Sequence, residues 1–445
     1  TNTNYTENNV NQSILTLNDN ENHRNFVNSI INYNKNIQSL NATILTGLQY
    51  SVYNEGTTYD FYNNVNDGGF NYNQSRFQKY RINVLAGKFD VEKKLESDQK
   101  IEFGSRFTHA GAKTNNNTIF QNNTTEQFLY HFTELNIAGY AQYSKNYEKW
   151  NYKAGLRFET TNSEGFNDTK QLTDINKKYV DWFPNAEINY KINEKNNFTF
   201  YYKRSIDRPN YSNISSGNLY GSPYIEYSGN FDILPTYTNT ISANYTLKNW
   251  SFTASYYQSK NPLGYTLVYD DARNISTFTS VNFDKENNYS IGIDAPFQYK
   301  LWTSQTSLYL IYSEIEDKTA YLRKSTPYLY LYSNHNFRIG KDFNFMVDGY
   351  WLTKRTEGIY ERNSQVIVNL GLSKSYKNFD FTIRFNDLFK QMEFREVLDY
   401  KQINSKNVFF VDNQEFSVGI KYNFGQLNKS ISKESKVNEE ENRIR

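Results

Sequence analysis

Side chains able to do chemistry are present in this chain, but never in an arrangement that would use them. The four histidines, His23, His109, His131 and His335, are scattered. No two of them share the spacing of a helix or strand face together with a carboxylate, as a metal set would need. There is no G-x-S-x-G, no P-loop and no H-E-x-x-H. A cysteine count of 0 removes thiolate catalysis, zinc–thiolate sites and disulfides. Asp and Glu mostly alternate with apolar residues, which reads as charges on one face of a strand or in loops; a paired-carboxylate hydrolase is the weaker reading. The expectation is a protein that is not an enzyme, with no catalytic residues, no metal and no cofactor.

One stretch suits binding. The connection 205–236, the longest in the chain, holds Tyr211, Tyr220, Tyr224 and Tyr227 among Ser, Asn and Gly. Tyrosine offers a large amphipathic contact area at small entropic cost, so these four are candidate ligand contacts. The competing reading is a loop that packs on itself. Arg208-Pro209 reads as structural, because Pro fixes the backbone where a strand ends. The N-x-[ST] matches at Asn116, Asn122 and Asn213 carry no weight in so Asn-rich a chain.

The elements that must position such residues alternate with period two. Over residues 129–161, Leu135, Ile137, Gly139, Ala141 and Tyr143 share one face. Glu134, Asn136, Ala138, Tyr140 and Gln142 share the other. After the polar turn 145–149, Trp150, Tyr152, Ala154, Leu156 and Phe158 alternate with Asn151, Lys153, Gly155, Arg157 and Glu159. This is strand, with an apolar and a polar face, long enough to cross a bilayer as a tilted strand of about 10 residues. The unit recurs: Leu40–Val52, Tyr80–Ala86, Ala186–Ile192, Ile241–Leu247, Tyr289–Phe297, Phe343–Trp351 and Phe416–Phe424 all alternate. Polar stretches at 54–75, 114–125 and 162–178 are expected as long loops. Short turns alternating with long loops is the wiring of bacterial outer-membrane barrels. Strands of a β-sandwich would be shorter, at ~5–6 residues. The expected fold is all-β, a transmembrane antiparallel β-barrel of roughly 16–20 strands.

Composition agrees. The 445 residues include 40 Tyr and 32 Phe, the enrichment that lipid-facing strands with aromatic girdles produce. Polar loops and a polar lumen account for a mean hydropathy of −0.81. No apolar run approaches the ~20 residues of a membrane helix. The net charge of +2 provides no basic footprint for nucleic acid. The chain starts at Thr1 with no leader of basic and then apolar residues, so a mature or truncated chain is expected.

Several motifs resemble the C-terminal barrel region of TonB-dependent receptor-like outer-membrane proteins of Bacteroidota. These are Phe132–Trp150 running into Ala154-Gly155-Leu156-Arg157-Phe158-Glu159-Thr160-Thr161; Phe183-Pro184-Asn185; Tyr201-Tyr202-Lys203-Arg204; and Arg208-Pro209-Asn210-Tyr211. Further on come Gly229-Asn230, Leu234-Pro235-Thr236-Tyr237-Thr238-Asn239 and the closing Lys421-Tyr422-Asn423-Phe424-Gly425. Together they span about Arg24 to Phe424. The family's Gly-Asn-Pro reads Gly229-Asn230-Phe231 here, and Thr236 stands where an acidic residue often follows Pro235. The family's plug and energy-coupling box are not in this sequence.

The resemblance implies an outer-membrane location and uptake of a nutrient by the form that is complete with its plug. It also implies TonB as a partner through an N-terminal region missing here. The alternative is a structural or adaptor barrel in a multi-protein outer-membrane complex, docking lipoproteins or other outer-membrane subunits; a plugless passive pore is a third, weaker reading. The expected organisation is a polar segment or loop at 1–23, a barrel at 24–424 and a disordered periplasmic tail at 425–445. The 145–149 turn is expected on the periplasmic side. Leu135, Ile137, Tyr143, Trp150, Leu156 and Phe158 are expected to touch outer-membrane lipid, Glu134 and Arg157 to face the lumen, and Phe424 to end the closing strand.

Overall fold

The computed structural model describes residues 2–7, 10–215, 217–318, 322, 325–400, 403–411, 413–425 and 443. The first half is a run of long strands: β1 (Asn2–Glu7), β2 (Val10–Ile37), β3 (Ala42–Val65), β4 (Phe70–Lys94), β5 (Gln99–Phe120), β6 (Thr125–Asn146), β7 (Trp150–Asn167), β8 (Leu172–Asn193) and β9 (Asn196–Asp207). A single helical turn, α1 (Tyr211–Ser215), and the short β10 (Leu219–Ser222) and β11 (Ile225–Ser228) follow. Then come β12 (Thr236–Leu247), β13 (Trp250–Lys260), β14 (Leu263–Asp270), β15 (Ile275–Asn282), β16 (Lys285–Tyr299) and β17 (Trp302–Glu316). The chain continues with β18 (Tyr328–Ile339), β19 (Phe343–Leu352), β20 (Arg355–Glu357), β21 (Tyr360–Arg362) and β22 (Gln365–Tyr376). It ends with β23 (Phe379–Asn386), β24 (Glu393–Tyr400), β25 (Ile403–Phe410) and β26 (Glu415–Tyr422).

An 18-stranded sheet forms the wall, each strand antiparallel to its neighbours in chain order. The count lies within the range expected from the alternation. Among the described residues β1 pairs only with β2 and β26 only with β23, so no ladder joins the two ends of the sheet. The strands left out of the wall form two smaller four-stranded sheets, β10-β11-β15-β14 and β20-β21-β24-β25. Both are built from connections at one end of the barrel. The other end has tight turns, several closed by a residue in the left-handed region, such as Asn41 (φ 48), Lys248 (φ 54) and Lys377 (φ 52).

Three stretches expected as loops are mostly strand. The ladder runs to Val65 and resumes at Phe70, leaving only 66–69 as the tip; likewise 121–124 and 168–171 cap the next hairpins. These arms are polar on their outer face (Asn54, Thr58, Asp60), so they lose the apolar signal while keeping their backbone pairing. Part of the stretch 1–23 expected as a segment or loop is also strand: Ile14 to His23 pair residue by residue with Val65 to Gly56. The expected C-terminal tail lies outside the described residues except for Gly425 and Arg443.

The wall reverses its amphipathicity along its length. Toward the short turns, the outer face is apolar and exposed: Leu48, Phe89, Ile137, Leu156, Ile291 and Phe381. The inner face there is polar, with Lys88 beside Asp90 at 3.5 Å and the Tyr140 hydroxyl donating to Asp90 Oδ1 at 2.7 Å. Toward the long hairpins the interior becomes apolar. Tyr80, Ile82 and Val84 on β4, Ala110 and Ala112 on β5, and Tyr130 and Phe132 on β6 are buried in one cluster.

Candidate functional site

The apolar interior is filled by the chain itself. After β9 the Pro209 ring ends the strand, and the connection to β12 turns into the barrel instead of away from it. Tyr211, Ile214 and Ile233 join the buried wall cluster, with Phe231 packed against it. Phe231 stacks on Tyr130 at 4.9 Å, and Tyr211 meets Phe132 at 5.9 Å. Lys177 Nζ donates to the carbonyls of Phe231 and Ile233, both at 3.0 Å, pinning the returning arm. Each fully buried aromatic or aliphatic side chain contributes about 1.5–3 kcal/mol, so this docking favours the seated arrangement of the connection.

Just below lies a buried charge network. Arg208 Nη2 donates to Glu159 Oε2 at 2.6 Å and to Thr161 Oγ1 at 3.2 Å, while its Nε donates to the Tyr179 hydroxyl at 3.3 Å. Arg157 pairs with the other oxygen of Glu159 at 2.6 Å, and Asn136 Nδ2 donates to Glu159 and Thr161. On the neighbouring strand Glu134 accepts from Ser163 Oγ at 3.1 Å and, at a long 3.4 Å, from the Tyr211 hydroxyl. Arg443 reaches the same carboxylate: Nη1 lies 2.6 Å from Oε1, Nε donates to the Pro209 carbonyl at 3.0 Å, and the guanidinium sits over the Tyr211 ring at 4.1 Å. Buried charges of this kind persist because each has an opposite partner and further hydrogen bonds. Arg208, placed by the strand end, thereby ties the mouth of the connection to the wall.

The four candidate tyrosines do not form one surface. Tyr211 points inward as described. Tyr220 accepts from Asn63 Nδ2 at 2.7 Å and meets Phe61 edge-on at 5.1 Å, also against the wall. Tyr224 engages the β15 hairpin through its carbonyl, which accepts from the Ser276 amide at 2.8 Å. Tyr227 is exposed on the small sheet, edge-on to Phe278 at 5.7 Å. There the parallel pairing of β11 with β15 joins the connection to the neighbouring hairpin, and Arg273 clasps Glu226 at 3.0 Å. The same guanidinium hydrogen-bonds Asp270 and holds its carboxyl below the usual carboxylate range.

On the outer wall Leu135, Ile137, Tyr143, Trp150 and Leu156 are exposed, and Phe158 is half-buried against Trp182 at 4.7 Å. Phe424 is 86% exposed and stacks on Tyr422. Glu134 and Arg157 point inside, where Glu134 is 6% exposed. Arg208 stands out in the sequence through its neighbour Pro209, Glu159 only within a family-like motif, and nothing in the sequence points to Arg443 as their neighbour. His131 meets Asp168 at 2.9 Å. Among the described residues no three His, Asp or Glu side chains gather as a metal site would require.

The model of the outer membrane protein beta-barrel family matches residues 70–422. A search of curated proteins finds no match. Among solved structures, the chain is similar to the copper transporter OprC, with 10% identity and a TM-score of 0.61, covering 93% of this chain and 66% of that one. It is similar to the siderophore receptor PiuA from Acinetobacter baumannii, with 13% identity and a TM-score of 0.57, covering 92% of this chain and 64% of that one. It is also similar to the ferric yersiniabactin uptake receptor FyuA from Yersinia pestis, with 10% identity and a TM-score of 0.54, covering 92% and 70%. The chain therefore spans about two thirds of the length of these structures, and at such identities the likeness is one of fold. With most of its length matched by one family model, and with a strand wall apolar outside and polar inside, the chain is a β-barrel of the bacterial outer membrane and belongs to the outer membrane protein beta-barrel family.

Proposed function

We propose that this barrel is the membrane part of a receptor of the TonB-dependent type, which takes up a nutrient across the outer membrane when complete with its plug. The observation that carries this reading is the folding of 208–235 into the barrel, where Tyr211, Ile214, Phe231 and Ile233 pack on the inner wall. A passive pore needs an open bore; a receptor needs a mouth that holds its cargo until the passage is opened. The fold shared with a copper transporter, a siderophore receptor and a ferric yersiniabactin uptake receptor supports the same reading. In this reading the long hairpins and the two small sheets face the outside of the cell and the tight turns face the periplasm. The exposed row Leu135, Ile137, Tyr143, Trp150, Leu156 lies in lipid, and TonB engages a segment outside this sequence.

The test is uptake by cells that carry or lack the gene. Growth on limiting siderophore-bound iron, glycan, peptide or cobalamin is expected to fail for one of these in the deletion strain, and uptake of that nutrient to stop when the proton gradient is collapsed. A steady open conductance of the full-length protein in planar bilayers, or uptake indifferent to the gradient, would sink the proposal.

A further inference from the structure

The inner wall under the connection carries a row of polar groups that the connection covers without bonding. Arg76, Thr114, Asn116 and Tyr130 are 1–3% exposed. Arg76 Nε, Thr114 Oγ1, both amide atoms of Asn116, the Tyr130 hydroxyl and Asp174 Oδ2 are buried and, among the described residues, lack a hydrogen-bond partner. They are contiguous. Arg76 pairs with Thr118, which is next on the same strand face to Asn116. Thr114 lies directly opposite Tyr130, and Asn116 opposite Phe128. Asp174 is the extra residue of a bulge between Thr173 and Ile175, beside Gly165. The Tyr130 hydroxyl lies against that same Gly165, where an added Cβ would come within 2.0 Å of it, and Asp174 is near enough to act electrostatically on it.

Buried donors and acceptors are almost always satisfied, so an unsatisfied row along one wall calls for an occupant. The connection does not supply one: Phe231 stacks on Tyr130, and Gly217 lies against the Phe128 ring, both through apolar contact. The chemistry of the row selects the class of ligand. Arg76 only donates, Asp174 only accepts, and Asn116, Thr114 and Tyr130 do both. The formal charges cancel, so an anion would meet Asp174 and a cation would meet Arg76. A ring bearing many hydroxyls matches at every point, since each hydroxyl both donates and accepts, and its C–H faces can pack on the Phe128 and Tyr130 rings of the wall once Phe231 has left. We propose that this row is a carbohydrate-binding site, uncovered when the 210–234 connection lifts. The proposal rests on the receptor reading for the entry of the ligand.

The experiment has two arms on the full-length protein. Labelled protein is first applied to a glycan array. The parent is expected to bind at least one glycan, and Asn116→Leu and Asp174→Asn to weaken that binding about tenfold or more, the loss expected when polar partners are removed from a buried site. Thermal unfolding without ligand is the second arm. Thr114→Val and Asn116→Leu should hold or raise the midpoint, because they remove groups left unpaired in the covered state. An array with no bound glycan, binding unchanged in both variants, or a midpoint lowered by Thr114→Val, as ordered water filling the row would cause, overturns the proposal. Gradient-dependent uptake of some other nutrient with an empty array would leave the receptor reading standing and this site refuted. Array binding without energised uptake would do the reverse.

Discussion

Arg208 and Glu159 meet at 2.6 Å inside the barrel, with side chains only 7% and 4% exposed. Their pairing closes the gap between the end of β9 and the wall at β7, and it sets where the connection enters. Removing the cation leaves a buried carboxylate short of a partner. Arg208→Ala is expected to cost about 3–5 kcal/mol. Arg208→Lys should fall between that variant and the parent, because a lysine keeps the charge but cannot serve Glu159, Thr161 and Tyr179 together. Urea titration followed by the gel mobility shift of folded barrels measures both; an Arg208→Ala midpoint equal to the parent's would show the pair to be dispensable.

Leu156 is 44% exposed on the outer wall. If that face lies in lipid, Leu156→Arg should lower the folding yield in bilayers, at a cost of about 2–4 kcal/mol near the midplane. Gln142→Arg, on the inner face where Gln142 Nε2 donates to Glu102, should fold normally. Equal yields for the two would reverse the assigned facing.

Tyr309 lies across Gly292 inside the barrel, with its hydroxyl donating to Asp294 Oδ2 at 2.7 Å. A Cβ built at Gly292 would stand 2.2 Å from the ring, so Gly292→Ala must displace the ring and its hydrogen bond. The expected cost is about 1–3 kcal/mol. Tyr309→Ala should absorb most of that cost in a double-mutant cycle. Strictly additive effects would place the damage elsewhere.

Tyr211 separates packing from recognition. Tyr211→Phe gives up the long hydrogen bond to Glu134 and the one its hydroxyl accepts from Arg443 Nη1 at 3.2 Å, and should cost about 2 kcal/mol. Tyr211→Ala empties a fully buried site and should cost about 3–5 kcal/mol. Thermal unfolding of the two variants decides it. Similar small effects would mean that the ring is not a wall-packing element and would return Tyr211 to the role of ligand contact.

The strand pattern was readable wherever the two faces differ in composition, as in 129–161. Period two reveals that faces alternate but not which one is inside. Tyr80, Ile82, Val84 and Ala86 alternate as cleanly as Leu135, Ile137 and Tyr143, yet the first set is buried within the barrel and the second is exposed. The reversal of amphipathicity explains this: the same strand is apolar outside near the tight turns and apolar inside near the long hairpins. Polar arms such as 54–65 read as loops because neither lipid nor a continuous core demands apolar residues of their outer face. Arg208-Pro209 stood out in the sequence, but its partner Glu159 is 49 residues earlier, and only the pairing of β7 with β8 and of β8 with β9 brings them together. The tyrosines of 205–236 looked like one surface because composition has no direction; a helical turn and a small hairpin send Tyr211 and Tyr220 inward and Tyr227 outward.

The parallel ladder between β11 and β15 also ties the connection to the second half of the chain. Ile225–Ser228 pairs with Ser276–Thr279, some fifty positions further along, and β15 pairs in turn with β14. The segment that fills the bore is therefore held from two sides, by the inner wall of the first half through Tyr211 and Ile233 and by a hairpin of the second half. Any movement of it out of the bore must carry that hairpin along or break the ladder.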